Sequence, residues 1–520
     1  MPARRETAVA ALLGWSVTLL IVVVLVGSVP GSGNLLYRDF VGVPDPSLTA
    51  RTWGWGGPAP RAVPLDLVTA LLTSFLPSSV VQQGLLAASL MLSGTGVAWL
   101  LRHRGALATT LGATLATWSP YAVERLLVGQ PPTLLAWSVI PWIVVAVRRQ
   151  VTGWRWLLGV VAASAPAALT PFGGTFAAAV ALTVALLSGR AARETLAVLG
   201  CAVAWCLPWL APALAGRSEA GDAAAARAFA VDTDGFLGFL DLLGGGGIWS
   251  AAAVLPSRSQ WWPSVVASLL LLGVALVGVR ALGQYRWVGV LVLVGPGVVV
   301  WLAATEPGLA VLSAAQSVPG VALFRDTHRL LGISSSATSL LAPVGLVSLV
   351  SGLSGPVALA RRVGLGLVAV SLAVLTAPDA ATQLRRHYVP VSYPESWSRV
   401  VGAVGLRHAL LLPWQPLRQT DWARGEPFID PLPLALRGEV TVARDLTVQR
   451  RGQVLTLGHL DPEESREWAR GVVTRPSLEA HGIAVVVVWK GTPGVGIVHG
   501  DASLRMVVTT PEFDVWEIRS

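Results

Sequence analysis

Three short stretches of this chain set carboxylates and guanidiniums directly beside apolar runs. "NLLYRDFVGVPDPS" carries Arg38, Asp39 and Asp45; "SPYAVERLLVGQPP" carries Tyr121, Glu124, Arg125 and Gln130; "VPGVALFRDTHRLLG" carries Arg325, Asp326, His328 and Arg329. Ionisable groups near membrane depth are costly unless paired or solvated, which makes them functional candidates by default. Their types suit one class of reaction. A carboxylate can take the proton of an attacking hydroxyl, and guanidiniums can stabilise negative charge on a departing phosphate. The plainer role of an adjacent acid and arginine is a helix-end ion pair that fixes a loop.

The elements that hold these residues follow from composition. Of 520 residues, 53% are hydrophobic and only 13% charged, outside the range of soluble globular chains. A multi-span membrane protein is expected. Apolar segments occur at 8–29, 80–101, 106–121, 133–147, 156–170, 172–187, 195–214, 263–279, 287–304, 330–350 and 363–377, about eleven spans in all. The first, preceded by "ARRE", reads as a retained helix and not as a cleaved leader. The net charge of +9 is nearly all arginine, scattered in short clusters between the apolar runs. A nucleic-acid-binding face would concentrate such charge and interleave it with aromatics, so nucleic acid is not expected as a partner.

With a cytoplasmic N-terminus, the short basic loops at Arg102, Arg148, Arg190, Arg280 and Arg361 all fall inside. The acids Asp39, Asp45, Asp66, Glu124, Asp241, Glu306 and Asp326 then all fall outside, in outer loops 30–79, 122–132, 215–262 and 305–329. Three ionisable stretches on one face of the membrane speak for chemistry over loop fixing. Within the first loop, Ala62 to Pro77 is apolar, short and proline-bounded, and reads as a helix lying along the outer surface.

An odd number of spans leaves the remainder outside as well. The division expected is a transmembrane domain over 1–378 and an extracytoplasmic soluble α/β domain over 379–520. In the latter, "DPEESREWARGV" reads as a helix with Asp461 as its N-cap. "GIAVVVVWKG" reads as a buried strand, with further strands at "HALLLPW", "EVTVARDLTV", "LRMVVTT" and "FDVWEI". Cys201 and Cys206 lack metal-ligand spacing. The run Gly244 to Gly247 lacks the strand, helix and lysine of a phosphate loop.

One span followed by a long outer loop with an early acid, then many spans and an outer α/β domain, resembles the GT-C glycosyltransferases. It is most similar to the actinobacterial cell (plasma) membrane enzymes that use polyprenyl-phosphate arabinose or mannose. "YAVERLLVGQPPTLLAW" and "FRDTHRLLG" resemble the second-loop and late-loop motifs of that group. The resemblance implies a transferase of cell wall biogenesis, moving sugar from a polyprenyl-phosphate donor to an envelope glycan or glycolipid acceptor, with the lipid bilayer as its setting. It implies Asp39 as catalytic base, Arg125, Arg325 and Arg329 facing phosphate, and Glu124, Gln130 and Asp326 lining the donor or acceptor pocket. Arg38 and His328 complete the expected binding set. No cofactor is implied beyond the divalent cation that some members use, and no metal ligand is expected here. Asp39 and Asp45 are six apart, where metal-using members have adjacent acids. Asp45, between two prolines, reads as a turn residue.

Two other readings fit the composition. A transporter or flippase of lipid-linked sugars would carry charges in mid-span, and these helices are nearly free of them. A non-catalytic envelope-assembly protein is opposed only by the ionisable loops.

Overall fold

The computed structural model describes residues 2–27, 33–55, 62–217, 222–233, 235–318, 320–351, 358–443, 445–450, 453–457, 463–497, 499–500 and 502–519. The chain forms two compact units, one of Met1–Gly27, Leu85–Leu210 and Phe229–Arg386, the other of Ser28–Gly84, Ala211–Ala228 and His387–Ser520.

The first unit is helical. Among the described residues, six stretches are long and apolar enough to cross a membrane: Arg4–Val26, Ser78–Arg104, Ala192–Ala215, Trp262–Ala303, Thr327–Ser351 and Leu359–His387. Trp262–Ala303 is itself two helices, Trp262–Gly278 and Arg286–Ala303, parted by a tight stretch in which Gly283 takes φ 58°. Helix forms in every apolar segment read from the sequence, but the finer figure of about eleven crossings rests partly on pieces too short to span. Ala106–Thr117 has 12 residues and Trp154–Ser164 has 11, against the roughly 20 that a bilayer core demands. Prolines are the cause. Pro120 starts a new helix after Thr117, Pro141 opens Ile140–Val147 after Pro131–Ser138 has ended, and Pro171 restarts the chain after a short turn.

Small residues bring two of these helices together. A methyl on Gly278 would lie 2.1 Å from the Leu341 carbonyl oxygen, and one on Gly345 2.0 Å from that of Val274. Trp262–Gly278 and Leu331–Ser351 therefore cross at backbone contact, as small residues allow in membrane helices. Leu271, Leu272, Ala275, Leu341, Ala342 and Leu346 pack around the crossing. At the start of Leu331–Ser351, Gly332 lies against the Trp137 ring, next to the charged turn that precedes the helix.

The second unit is built on a five-stranded sheet. Its order is Leu504–Thr509, Phe513–Ile518, Val485–Trp489, Ala409–Leu412, Val440–Thr441. Val485–Trp489 pairs antiparallel with Phe513–Ile518 and parallel with Ala409–Leu412, which runs parallel to Val440–Thr441. All five residues of Val485–Trp489 are buried, as an unbroken valine run predicts for a central strand. "EVTVARDLTV" is not one strand: Val440–Thr441 joins the sheet, while Leu446–Arg450 forms a separate hairpin with Gln453–Leu457. The expected helix at "DPEESREWARGV" runs over Glu463–Ala469, and Asp461 lies outside the described residues.

The segment expected as a surface helix over 62–77 forms Leu65–Thr73, with Leu71, Leu72, Phe75 and Leu76 exposed. It belongs, with the rest of the first loop, to the sheet-bearing unit.

Candidate functional site

In the helical unit the second and third ionisable stretches come together across some 200 residues of chain. Ser119 caps Pro120–Leu127, its hydroxyl accepting from the Ala122 N–H at 3.2 Å. That short helix buries all of its residues, Glu124 and Arg125 completely. Arg125 donates to both carboxylate oxygens of Asp326, at 2.5 and 2.9 Å, to Nδ1 of His328 at 2.7 Å and to Gln130 Oε1 at 3.2 Å. Because Nδ1 accepts, the neutral His328 ring carries its proton on Nε2, 3.5 Å from Glu124 Oε2. Tyr121 stacks on His328 and donates its hydroxyl to the Arg329 carbonyl at 3.2 Å. Arg329 reaches Asp326 at 3.5 Å and lies over Phe172, while exposed Arg325 lies over Phe229.

Charge in this cluster is unequal. Burial pushes the Glu124 carboxyl up to about 8, the nearby Asp241 adding to the effect against the pull of Arg258 and the Ile248 N–H. It is a protonated acid at neutral pH. Burial alone would raise Asp326 too, but the charge and hydrogen bonds of Arg125, with Arg329 behind them, hold it far below the usual carboxylate range. Arg125 and Arg329 thus face the one ionised carboxylate of Asp326. Arg125 itself is ion-paired through both terminal nitrogens with Asp326 and fully buried, so it positions the turn at Asp326. The arginines with solvent access are Arg325 and Arg329.

A second buried pair adjoins the first. Arg258 donates through Nε to Asp241 at 2.7 Å, and to Ser268 Oγ and the Thr376 carbonyl at 2.8 and 3.1 Å. The glycine run closes over this pair: a methyl on Gly246 would fall 2.5 Å from Arg258 Nε and 2.7 Å from the Asp241 carboxylate. Gly245 and Gly247 adopt φ of 85° and 82°, and the Ile248 N–H that follows donates to Glu124 Oε2 at 3.1 Å. The four glycines are therefore a close-approach elbow between two buried acids. Sequence reasoning placed Asp241 among the outer acids but missed Arg258. The available signal was "DLLGGGGIW", an acid directly before glycines in an apolar setting.

Asp39 lies in the other unit. Leu36–Tyr37 and Phe40–Val41 form a hairpin whose two-residue loop is Arg38 and Asp39. Arg38 takes φ 48°, and its N–H and carbonyl bond to Pro427 and Ile429 at 2.7 and 2.8 Å. Asp39 is exposed at the tip. Tyr37 is buried, carries Arg38 over its ring, and stacks on His387 at 4.9 Å; His387 Nδ1 meets Glu426 Oε1 at 2.9 Å. Burial pushes the Tyr37 phenol up to about 12, so it stays neutral. Neither His387 nor Glu426 was read from the sequence, where they stand as ordinary polar residues after the last span.

Among the described residues no group of three or more His, Cys, Asp or Glu side chains is placed to hold a metal ion, and Cys201 and Cys206 are free. No family model, curated protein or solved structure matches the chain.

Proposed function

We propose that this chain is a membrane glycosyltransferase of GT-C type, which moves a sugar from a polyprenyl-phosphate donor to an envelope glycan or glycolipid. The observation that carries the reading is the gathering of two guanidiniums, Arg125 and Arg329, on the ionised carboxylate of Asp326, with Glu124 holding its proton. Guanidiniums beside apolar helices suit an anion, and a lipid-linked phosphate brings both the charge and an apolar tail. Arg325 and Arg329 then meet the leaving phosphate, while Arg125 holds Asp326 and His328 in place. Asp39 supplies the carboxylate that takes the acceptor's proton as its oxygen attacks the anomeric carbon.

The burial of the Arg125–Asp326 pair also favours a second reading, a non-catalytic envelope-assembly protein in which the buried charges only fix loops. Transfer from labelled polyprenyl-phosphate arabinose and mannose, in membranes holding wild type or Asp39→Asn, separates the two. The transferase reading expects transfer that falls at least tenfold in the variant. Transfer undiminished by the substitution removes Asp39 as base, and no transfer from any donor leaves the non-catalytic reading.

A further inference from the structure

We infer that His387, oriented by Glu426, is a second proton acceptor beside Asp39 in the transfer reaction; the inference rests on the transferase reading. It follows from how the sheet-bearing unit fixes that imidazole. Glu426 accepts from Nδ1 of His387 at 2.9 Å. With the proton there, the neutral ring presents the lone pair of Nε2, which meets no partner among the described residues. A carboxylate that sets the tautomer and aim of an imidazole whose other nitrogen is open is the base-and-orienter arrangement of many proton-transfer sites.

An ordinary surface ion pair would leave the ring mobile. Here it is clamped: it stacks on Tyr37 at 4.9 Å and 22°, and Tyr37 packs in turn on Tyr388 at 5.3 Å. Both tyrosines are buried, whereas His387 and Glu426 keep 17% and 28% of their side-chain exposure, enough to meet a substrate. The clamp and the Asp39 loop share residues. Tyr37 pairs with Phe40 across the turn that carries Asp39, and Glu426 directly precedes Pro427, whose carbonyl accepts from the Arg38 N–H. The Asp39 loop and the segment after Glu426 are thus held by one piece of backbone pairing, and the imidazole by its stack on Tyr37.

The step balances without a co-reactant. The acceptor's O–H proton moves to Asp39 as that oxygen bonds to the anomeric carbon, and His387 Nε2 takes it on from there. The bond from this carbon to the phosphate oxygen breaks, and its electron pair leaves with the polyprenyl phosphate. The imidazolium, stabilised by Glu426, then returns the proton to solvent.

The test uses the full-length protein in membranes. His387→Ala is expected to lower transfer at least tenfold, and added imidazole to restore part of the loss, which a merely structural role would not allow. Glu426→Gln, which keeps the shape of the pair, is expected to lower transfer and to slow carbethoxylation of His387 by diethyl pyrocarbonate, read by mass spectrometry. Transfer unchanged in His387→Ala, or lost without imidazole rescue, overturns the assignment. So does a His387 that stays unmodified in wild type, because Nε2 is then inaccessible whatever the reaction. If no donor supports transfer by wild type while His387 still reacts in a Glu426-dependent way, the transferase reading has failed and takes the catalytic role with it, though the oriented pair stands.

Discussion

Asp326→Asn is the perturbation whose outcome the geometry specifies most closely. Arg125 is fully buried and makes two bonds to Asp326, one to Gln130 and one to His328. Asp326 supplies the only formal negative charge among these partners. Substituting asparagine keeps the size and one acceptor but leaves a guanidinium uncompensated inside the protein. Breaking a buried pair from one side costs about 3 to 5 kcal/mol. Replacing both members with apolar residues of similar size is often neutral or stabilising, so Arg125→Met with Asp326→Leu should recover most of what Asp326→Asn loses. Denaturant unfolding of the detergent-solubilised protein measures both. Asp326→Asn unfolding at the wild-type midpoint would show that the charge is satisfied elsewhere, and a double variant no more stable than the single one would show that the loss comes from packing. Either result ends the assignment of Arg125 as a positioning residue and returns it to the phosphate-facing group.

Glu124 keeps its proton up to about pH 8 in the folded chain, against about 4.3 for an unfolded glutamate. Between these values the folded state binds more protons, so the contribution to stability is complete below the unfolded value and is lost as pH rises through about 8. Glu124→Gln imitates the protonated form and should flatten that decline in melts taken from pH 6 to 9; an unaltered decline would mean that another group causes it. Gly246→Ala drives a methyl into Arg258 and Asp241 and should cost about 1 to 3 kcal/mol as overpacking. Gly273→Ala, where nothing lies within 4 Å of the new methyl, is the control, and equal melting temperatures for the two would refute the elbow.

What could be read from the sequence divides along physical lines. Continuous patterns were legible: the helices in every apolar segment and the buried strand at Val485–Trp489 follow from runs of residues that no other arrangement buries. Helix lengths were less so, because a serine or proline at 119, 120, 141 or 171 costs little average hydropathy yet ends a helix outright. The joining of "ERLLVGQ" to "FRDTHR" was foreseen only as a shared face. They meet through a two-toothed bond from Arg125 to Asp326, a contact between distant segments that no local pattern announces. The pairing of Arg258 with Asp241 and of His387 with Glu426 escaped for the same reason, since each links residues in different elements whose types alone are unremarked.

The first loop makes the point sharpest. From sequence, "YRDF" reads as a charged start to a loop of the membrane domain, and the sheet at the far end of the chain reads as an appendage to it. Yet Arg38 bonds by both backbone groups to the Pro427–Ile429 segment, Ser47 Oγ donates to the Leu434 and Leu436 carbonyls, and Tyr393 donates its hydroxyl to the Gly42 carbonyl. The loop has no apolar core of its own, and Leu36 and Val43 instead complete the one around Trp397, Phe428 and Trp489. Ser78 and Gln82 hold the start of the loop through Asn34 and Leu35, whereas the two-residue turn with its positive φ at Arg38 rests on the C-terminal contacts. The C-terminal segment is thus what gives Asp39 a fixed position, and a role for Asp39 in chemistry makes that segment part of the same machinery.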